Sequence, residues 1–215
     1  MERGTSSLEP MILNLICWRF ILIQEARMRH RSAIVGIAVV AVFCLMVLAG
    51  MTFIYSGGFN VAADVPHSRP VLAIMNLARE RSVSVRSRAI PVPDLNDPQL
   101  VLKGAGQYSA MCMNCHLAPG MSNSEIRPGL YPRPQNLSRT RLDPREAFWI
   151  IKHGLKMTGM PAWGSSHDDP TIWSMVAFLQ RLPDMTPAQY RAIVAKAPPD
   201  DDMPPATEPS HPHLP

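Results

Sequence analysis

Residues 112–116 read Cys-Met-Asn-Cys-His, and no other two of the four cysteines stand at this spacing. The two thiols lie within one turn of backbone, and an imidazole follows at once. This is C-x-x-C-H, the attachment signature of c-type haem. Cys112 and Cys115 add across the two vinyl groups of a porphyrin, and His116 then falls under the iron as proximal ligand. A dithiol redox pair has no need of the histidine, and a zinc site would want a second ligand pair. A chain that must enclose one covalent haem c has few folds open to it. A domain of under ~90 residues has a thin core by itself, and a buried porphyrin supplies the missing apolar volume. The other two cysteines, Cys17 and Cys44, sit in apolar runs and read as inert hydrophobes, so no structural disulfide is required.

Residues 33–55 carry no charge, from Ala33 through Tyr55. Twenty-three helical residues at about 1.5 Å each are enough to cross a hydrocarbon core of about 30 Å. Arg27, Arg29 and Arg31 precede the run, and a basic flank stays in the cytoplasm, which sends the C-terminal part outward. The expectation is one transmembrane anchor, with 1–32 as a cytoplasmic segment. A cleaved signal peptide is the alternative, although a secretory apolar core is usually shorter. Met11 to Ile23 is apolar but short and is interrupted by Arg19, and a translation start at Met28 is a second reading of this end.

Residues 56–97 read as a periplasmic linker with a short helix within Val71 to Arg88, where Val71, Ile74, Met75 and Ala78 lie at helical spacing. Its arginines suit either lipid headgroups or a solvated connector. The haem domain is expected over 98–185. Asp97-Pro98, Asp143-Pro144 and Asp169-Pro170 each give a helix entrance, with aspartate as cap and proline in the first turn. Gly104 and Tyr108 share one face of the first helix, and a glycine there lets another helix cross closely. Residues 186–215 read as a proline-rich flexible tail, with a short helix over Pro187 to Val194 and His211 and His213 near its end. The formal charge of +4 is mild, and no dense basic block interleaved with aromatics points to nucleic acid.

A sixth iron ligand is sought among Met157, Met160, Met175 and Met185. Met160 is expected, because Gly159 allows close approach and Pro161 stiffens the loop. Met175 looks like core, and Met157 has no proline to fix it. His153 and His167 are alternatives that read rather as surface or propionate-side histidines. A backbone carbonyl from the proline-rich loops is expected to accept the Nδ1–H of His116. Trp163 is a candidate for the porphyrin edge and Trp173 for a helix contact.

From about Gly104 to Leu182 the chain resembles bacterial membrane-anchored, single-haem class I c-type cytochromes. It is similar to haem domains of cbb-type oxidase subunits and to small cytochromes beside periplasmic dehydrogenases. The matching residues are Gly104 and Tyr108, Cys112, Cys115 and His116, Met160-Pro161, and Met175 to Leu179. The resemblance implies an all-α class I cytochrome c fold, three to four helices around one covalent haem, with His–Met iron. With the anchor in front, the expected function is single-electron transfer in the periplasm, at the bacterial cytoplasmic membrane. The expected partners are an oxidase, a quinol-oxidising complex or a dehydrogenase. A peroxidase-like haem enzyme and a redox or metal sensor are the alternatives.

Overall fold

A computed structural model of the chain describes residues 9–198, and all regular structure among them is helical. The chain divides into two units, residues 1–61 and 62–215. The first holds one helix, α1, over Glu9–Tyr55. It runs unbroken through the boundary expected at residue 33. One helix among the described residues is long and apolar enough to cross a membrane, by length and composition: Arg27–Tyr55, with a mean hydropathy of 2.8 and no part buried. Thr52 turns its hydroxyl back onto the Leu48 carbonyl at 2.8 Å, which satisfies a polar group that apolar surroundings would leave unpaired.

The second unit holds α2 (Arg69–Ser87), α3 (Pro98–Gln107), a π-helical turn (Tyr108–Cys112), α4 (Met113–His116), α5 (Pro144–His153), α6 (Asp169–Arg181) and α7 (Pro187–Val194). Aspartates start three of them. Asp97 accepts the Gln99 N–H at 2.9 Å, and Asp143 those of Arg145 and Glu146 at 2.8 and 3.2 Å. The third entrance differs from expectation by one residue. Asp168, not Asp169, caps α6 by accepting the Thr171 N–H at 2.9 Å. Asp169 is already inside the helix and its carboxylate meets Lys152 Nζ of α5 at 2.6 Å.

The centre of the unit is the crossing of α3 over α6. A Cβ built on Gly104 would stand 1.9 Å from the Ser174 carbonyl oxygen, so the two backbones touch at a point only glycine permits. Around it Ala105, Tyr108, Ile172, Val176, Ala177 and Phe178 are completely enclosed. α5 closes one side, stacking Phe148 on Trp173 with ring centroids 4.2 Å apart, so Trp173 serves the helix contact. α2 packs against α5 and buries Val83 and Ser87, which makes this stretch more than a linker.

The short helix expected over Pro187 to Val194 is present as α7, but it belongs to the core rather than to a flexible tail. Tyr190 is buried against Tyr108 and Phe178, with centroids 6.4 and 6.2 Å away. A full capping box at Thr186 and Gln189 starts this helix. Ile193 and Val194 pack against the same core as Tyr190. The tail histidines His211 and His213 lie outside the described residues.

Candidate functional site

The site grows from the end of α3. After Gln107 the helix widens into the π-helical turn, which carries the chain through Cys112, and α4 completes the motif to His116. Leu117 then turns the chain sharply, at φ 63° and ψ 153°. This region belongs almost wholly to glycine and costs about 1–3 kcal/mol for other residues. Two contacts hold it there. The Leu117 side chain is 1% exposed, and the Tyr108 hydroxyl donates to its carbonyl at 2.5 Å. The buried ring of the crossing therefore fixes the backbone one residue past His116. From behind, Tyr190 Oη reaches Met113 Sδ at 3.4 Å, and the Ser124 hydroxyl donates to the Asn114 carbonyl.

His116 is oriented from across the loop. Its Nδ1 stands 2.9 Å from the Gln135 carbonyl. As donor in that bond, Nδ1 leaves Nε2 as the ring nitrogen available to a metal. The carbonyl comes from a proline-rich loop, as expected, and residues 131–137 of that loop are themselves tied down: Arg127 Nη2 donates to the Pro134 carbonyl at 2.9 Å. Burial lowers the affinity of His116 for a second proton, with Arg127 adding to the effect and the Gln135 bond opposing it. Neutral imidazole is the form that ligates iron. Burial, and then the neighbouring Cys115, push the Cys112 thiol up to about 12. Neither motif cysteine is in a disulfide.

The loop that carries Met160 hangs from the end of α5. Gly154 ends that helix at φ 63°, and the backbone of 160–162 presses on it. A Cβ there would meet Pro161 C at 2.7 Å and the Met160 carbonyl oxygen at 2.8 Å. The Leu155 N–H donates to that same carbonyl at 3.2 Å. Thr158 pins the loop from inside: its hydroxyl donates to Leu155 O at 2.7 Å and accepts the Met160 N–H at 3.1 Å. Met160 comes out half-buried against the same core cluster that Cys112 borders.

The other candidates separate by position. Met157 is 78% exposed and Met175 is 1% exposed within the crossing. Met185 only borders the core. His153 is exposed, its ring 5.0 Å from Trp149. His167 is not a surface histidine: it is buried, with Nδ1 2.9 Å from the Ser166 hydroxyl and its ring edge-on to Trp163.

The donor set suits a covalent haem. Two free thiols stand three positions apart, an imidazole is already clamped through the nitrogen that iron does not need, and a thioether borders the same core cluster as Cys112. In addition, Arg127 Nε is buried with no acceptor. A spare cationic donor beside the His116 clamp is what an anionic group such as a haem propionate would satisfy.

Residues 99–179 match the family described as cytochrome C oxidase, cbb3-type, subunit III. This segment is a cbb3-like cytochrome c domain. Its all-helical build is that of a class I cytochrome, and it carries covalently bound haem c. A stretch of 111 residues, 52% of the chain, is 33% identical to a Pseudomonas aeruginosa protein described as dihydro-heme d1 dehydrogenase. The chain spans about a fifth (21%) of that relative's length. No solved structure matches the chain.

The motif and the loop methionine are visible in the sequence as candidates, whereas the residues that support them are not. Gly154 was legible as a helix end and not as the seat of the Met160 loop. Thr158, Arg127 and Tyr190 carried no signal, because each acts on a residue that is distant in sequence or on a backbone atom.

Proposed function

We propose that this c-type electron carrier holds its haem through Cys112 and Cys115, with His116 and Met160 as the two axial ligands. The bound haem supplies a one-electron iron couple. The chain's own residues set its terms. Gln135 fixes the plane and tautomer of His116, and a hydrogen-bonded imidazole is a stronger ligand. Gly154, Leu155 and Thr158 hold Met160 on a short, stiff loop, so its sulfur stays in place. A methionine opposite the histidine raises the reduction potential. Arg127 Nε is placed to donate to a propionate while its Nη2 keeps hold of Pro134. The proposal is carried by the His116 clamp, in which the ring is preset for iron by a bond that needs no iron.

The haem domain is tethered by α1 to the bacterial cytoplasmic membrane and faces the periplasm. The charge-free run and the three arginines before it support this arrangement. Between residues 98 and 185 nine Lys/Arg stand against six Asp/Glu, and such a margin steers the domain toward a more acidic redox protein. An oxidase, a quinol-oxidising complex or a dehydrogenase fits. The description of the Pseudomonas relative supports an oxidoreductase setting, with the domain serving as carrier rather than catalyst.

Met160→Ala tests the assignment. The haem should survive acid-acetone extraction, the reduction potential should fall, and the ferrous iron should bind carbon monoxide. Equal carbon monoxide binding by the parent protein would remove Met160 as ligand. Cys115→Ser should weaken or abolish haem attachment, and a normally haem-staining product would contradict the motif assignment.

A further inference from the structure

The outer face of α2 is apolar where a connector has no reason to be. Val71, Ile74, Ala78, Arg81 and Val85 follow one another at spacings of three and four, forming one line down the helix. Val71, Ile74 and Val85 are 44%, 67% and 52% exposed, and Leu77 beside them is 60% exposed. The face toward α5 is a different one, and it is there that Val83 and Ser87 are buried. Arginine dominates the charge: Arg69, Arg81, Arg86 and Arg88 are exposed. The helix's one acid, Glu80, lies 4.0 Å from Arg79, off the apolar line.

We propose that this face of α2 lies in the headgroup region of an anionic bilayer, the same bilayer that α1 crosses, so that the inference rests on α1 being an anchor. An apolar stripe that includes an arginine, on a helix with further exposed arginines on its flanks and at its C-terminal end, fits a helix lying in the membrane interface. The apolar side chains enter the acyl boundary, while the guanidinium groups stay among the phosphates on their extended stems. Residues 56–68 join the two helices, and even fully extended they reach only about 45 Å. The tether therefore keeps α2 near the lipid whenever α1 is inserted, and Val61 and Val65 along it are exposed apolar residues too. Lipid fits better than a protein partner because the stripe carries one cation, Arg81, and no carboxylate, and the exposed charges flanking it are mostly arginines. α2 is also docked on α5, so contact with the bilayer would limit the orientations in which the haem domain meets a partner.

The test uses the full-length, haem-loaded chain in lipid nanodiscs, held ferrous. Nitroxide labels are placed at Ile74→Cys, and at Lys196→Cys as an exposed control, in a Cys17→Ser, Cys44→Ser background. Collision with oxygen, which favours lipid, is compared with collision with a water-soluble nickel chelate. Native Cys44, labelled in the Cys17→Ser chain, reports the anchor separately. In phosphatidylglycerol discs the oxygen-to-nickel ratio at residue 74 should exceed that at 196 by at least about threefold. It should fall in phosphatidylcholine and when Arg81, Arg86 and Arg88 are changed to Gln. A position 74 as aqueous as 196, while Cys44 reads as lipid, overturns the α2 assignment and leaves the anchor standing. An aqueous Cys44 overturns the anchor and the α2 assignment with it. Equal ratios at residue 74 in both lipids overturn the role of the arginines.

Discussion

Gly104→Ala puts the α3–α6 crossing to its sharpest test, because helix propensity and packing predict opposite signs. In a helix interior alanine is better than glycine by about 0.8–1.0 kcal/mol. At Gly104, however, the new Cβ would stand 1.9 Å from Ser174 O, 2.5 Å from Ser174 C and 2.9 Å from Phe178 Cβ, where ordinary contact begins at 3.4 Å. Two of these atoms are backbone and cannot rotate aside. The helices must separate by up to about 1.5 Å, the difference between 3.4 and 1.9, and the enclosed rings of Tyr108 and Phe178 lose contact. Overpacking of this kind costs about 1–3 kcal/mol and occasionally more. A clash against backbone belongs at or above the top of that range, so the net loss is about 2 kcal/mol or more after the propensity gain. For a unit of this size that corresponds to a fall in Tm of about 4–8 °C. Gly106→Ala is the internal control. It has the same propensity gain in the same helix, but its Cβ meets only Ala197 Cβ at 3.1 Å and Pro198 O at 3.2 Å, near the end of the described chain. The measurement is thermal unfolding of both holo variants in detergent, followed by circular dichroism at one scan rate. If Gly104→Ala melts at or above the parent, or if Gly106→Ala falls as far, the crossing is not where the structure puts it.

Tyr108→Phe leaves the ring and removes the hydroxyl from the Leu117 carbonyl, which is then buried without its donor. A loss of about 1–3 kcal/mol is expected, read as a shift of the urea midpoint, and no shift would show that Leu117 is held by its burial alone. Asp143→Ala removes the cap of α5 and should cost about 1 kcal/mol, where Asp143→Asn costs less. Asp168 is held below the usual carboxylate range, mainly by its bonds to Thr171. Its folded affinity for protons is thus lower than its unfolded one, so its contribution is present above about pH 4 and is lost as pH falls through the folded value. Asp168→Asn keeps a cap without the titration, and its melting temperature should fall less between pH 6 and pH 3 than that of the parent. Equal falls would assign the acid sensitivity to other groups.

What the sequence shows and what it hides divide along a physical line. The Asp-Pro entrances and the motif act through local backbone chemistry, and Gly104, though its partner Ser174 is distant, is marked by a residue type whose place in a helix needs a close approach; each could be read from a few neighbouring letters. The misplaced cap at α6 illustrates the limit of that method. Two aspartates precede Pro170, and only the tertiary contact of Asp169 with Lys152 shows which one is committed elsewhere. The helix over 187–194 is legible in the sequence, but its proline and polar surroundings read as tail, and nothing local reveals that Tyr190 fits beside Tyr108. The burial of His167 is hidden for the same reason, since a histidine next to Ser166 and Asp168 looks solvated until the Trp163 ring is seen against it. Burial by a distant partner leaves no periodic trace, whereas a cap or a crossing glycine does.

The two axial candidates are held by separate devices that share one foundation. His116 depends on Gln135, and through Pro134 on Arg127. Met160 depends on Gly154, Leu155 and Thr158. Both sides lean on the core around the α3–α6 crossing. Gly154→Ala should therefore act on one side only. Its Cβ would displace Pro161 and Met160 by contact with their backbone, and alanine is strained at positive φ. The ferric protein should lose the weak long-wavelength absorbance of sulfur coordination and gain carbon monoxide binding when reduced, while keeping its covalent haem. Gly104→Ala should instead weaken both sides together, lowering stability and softening the methionine bond at once. If Gly154→Ala retains full sulfur coordination, then either the loop re-forms around the added methyl or Met160 is not the ligand. Met160→Ala distinguishes the two, because only in the second case does it leave carbon monoxide binding unchanged.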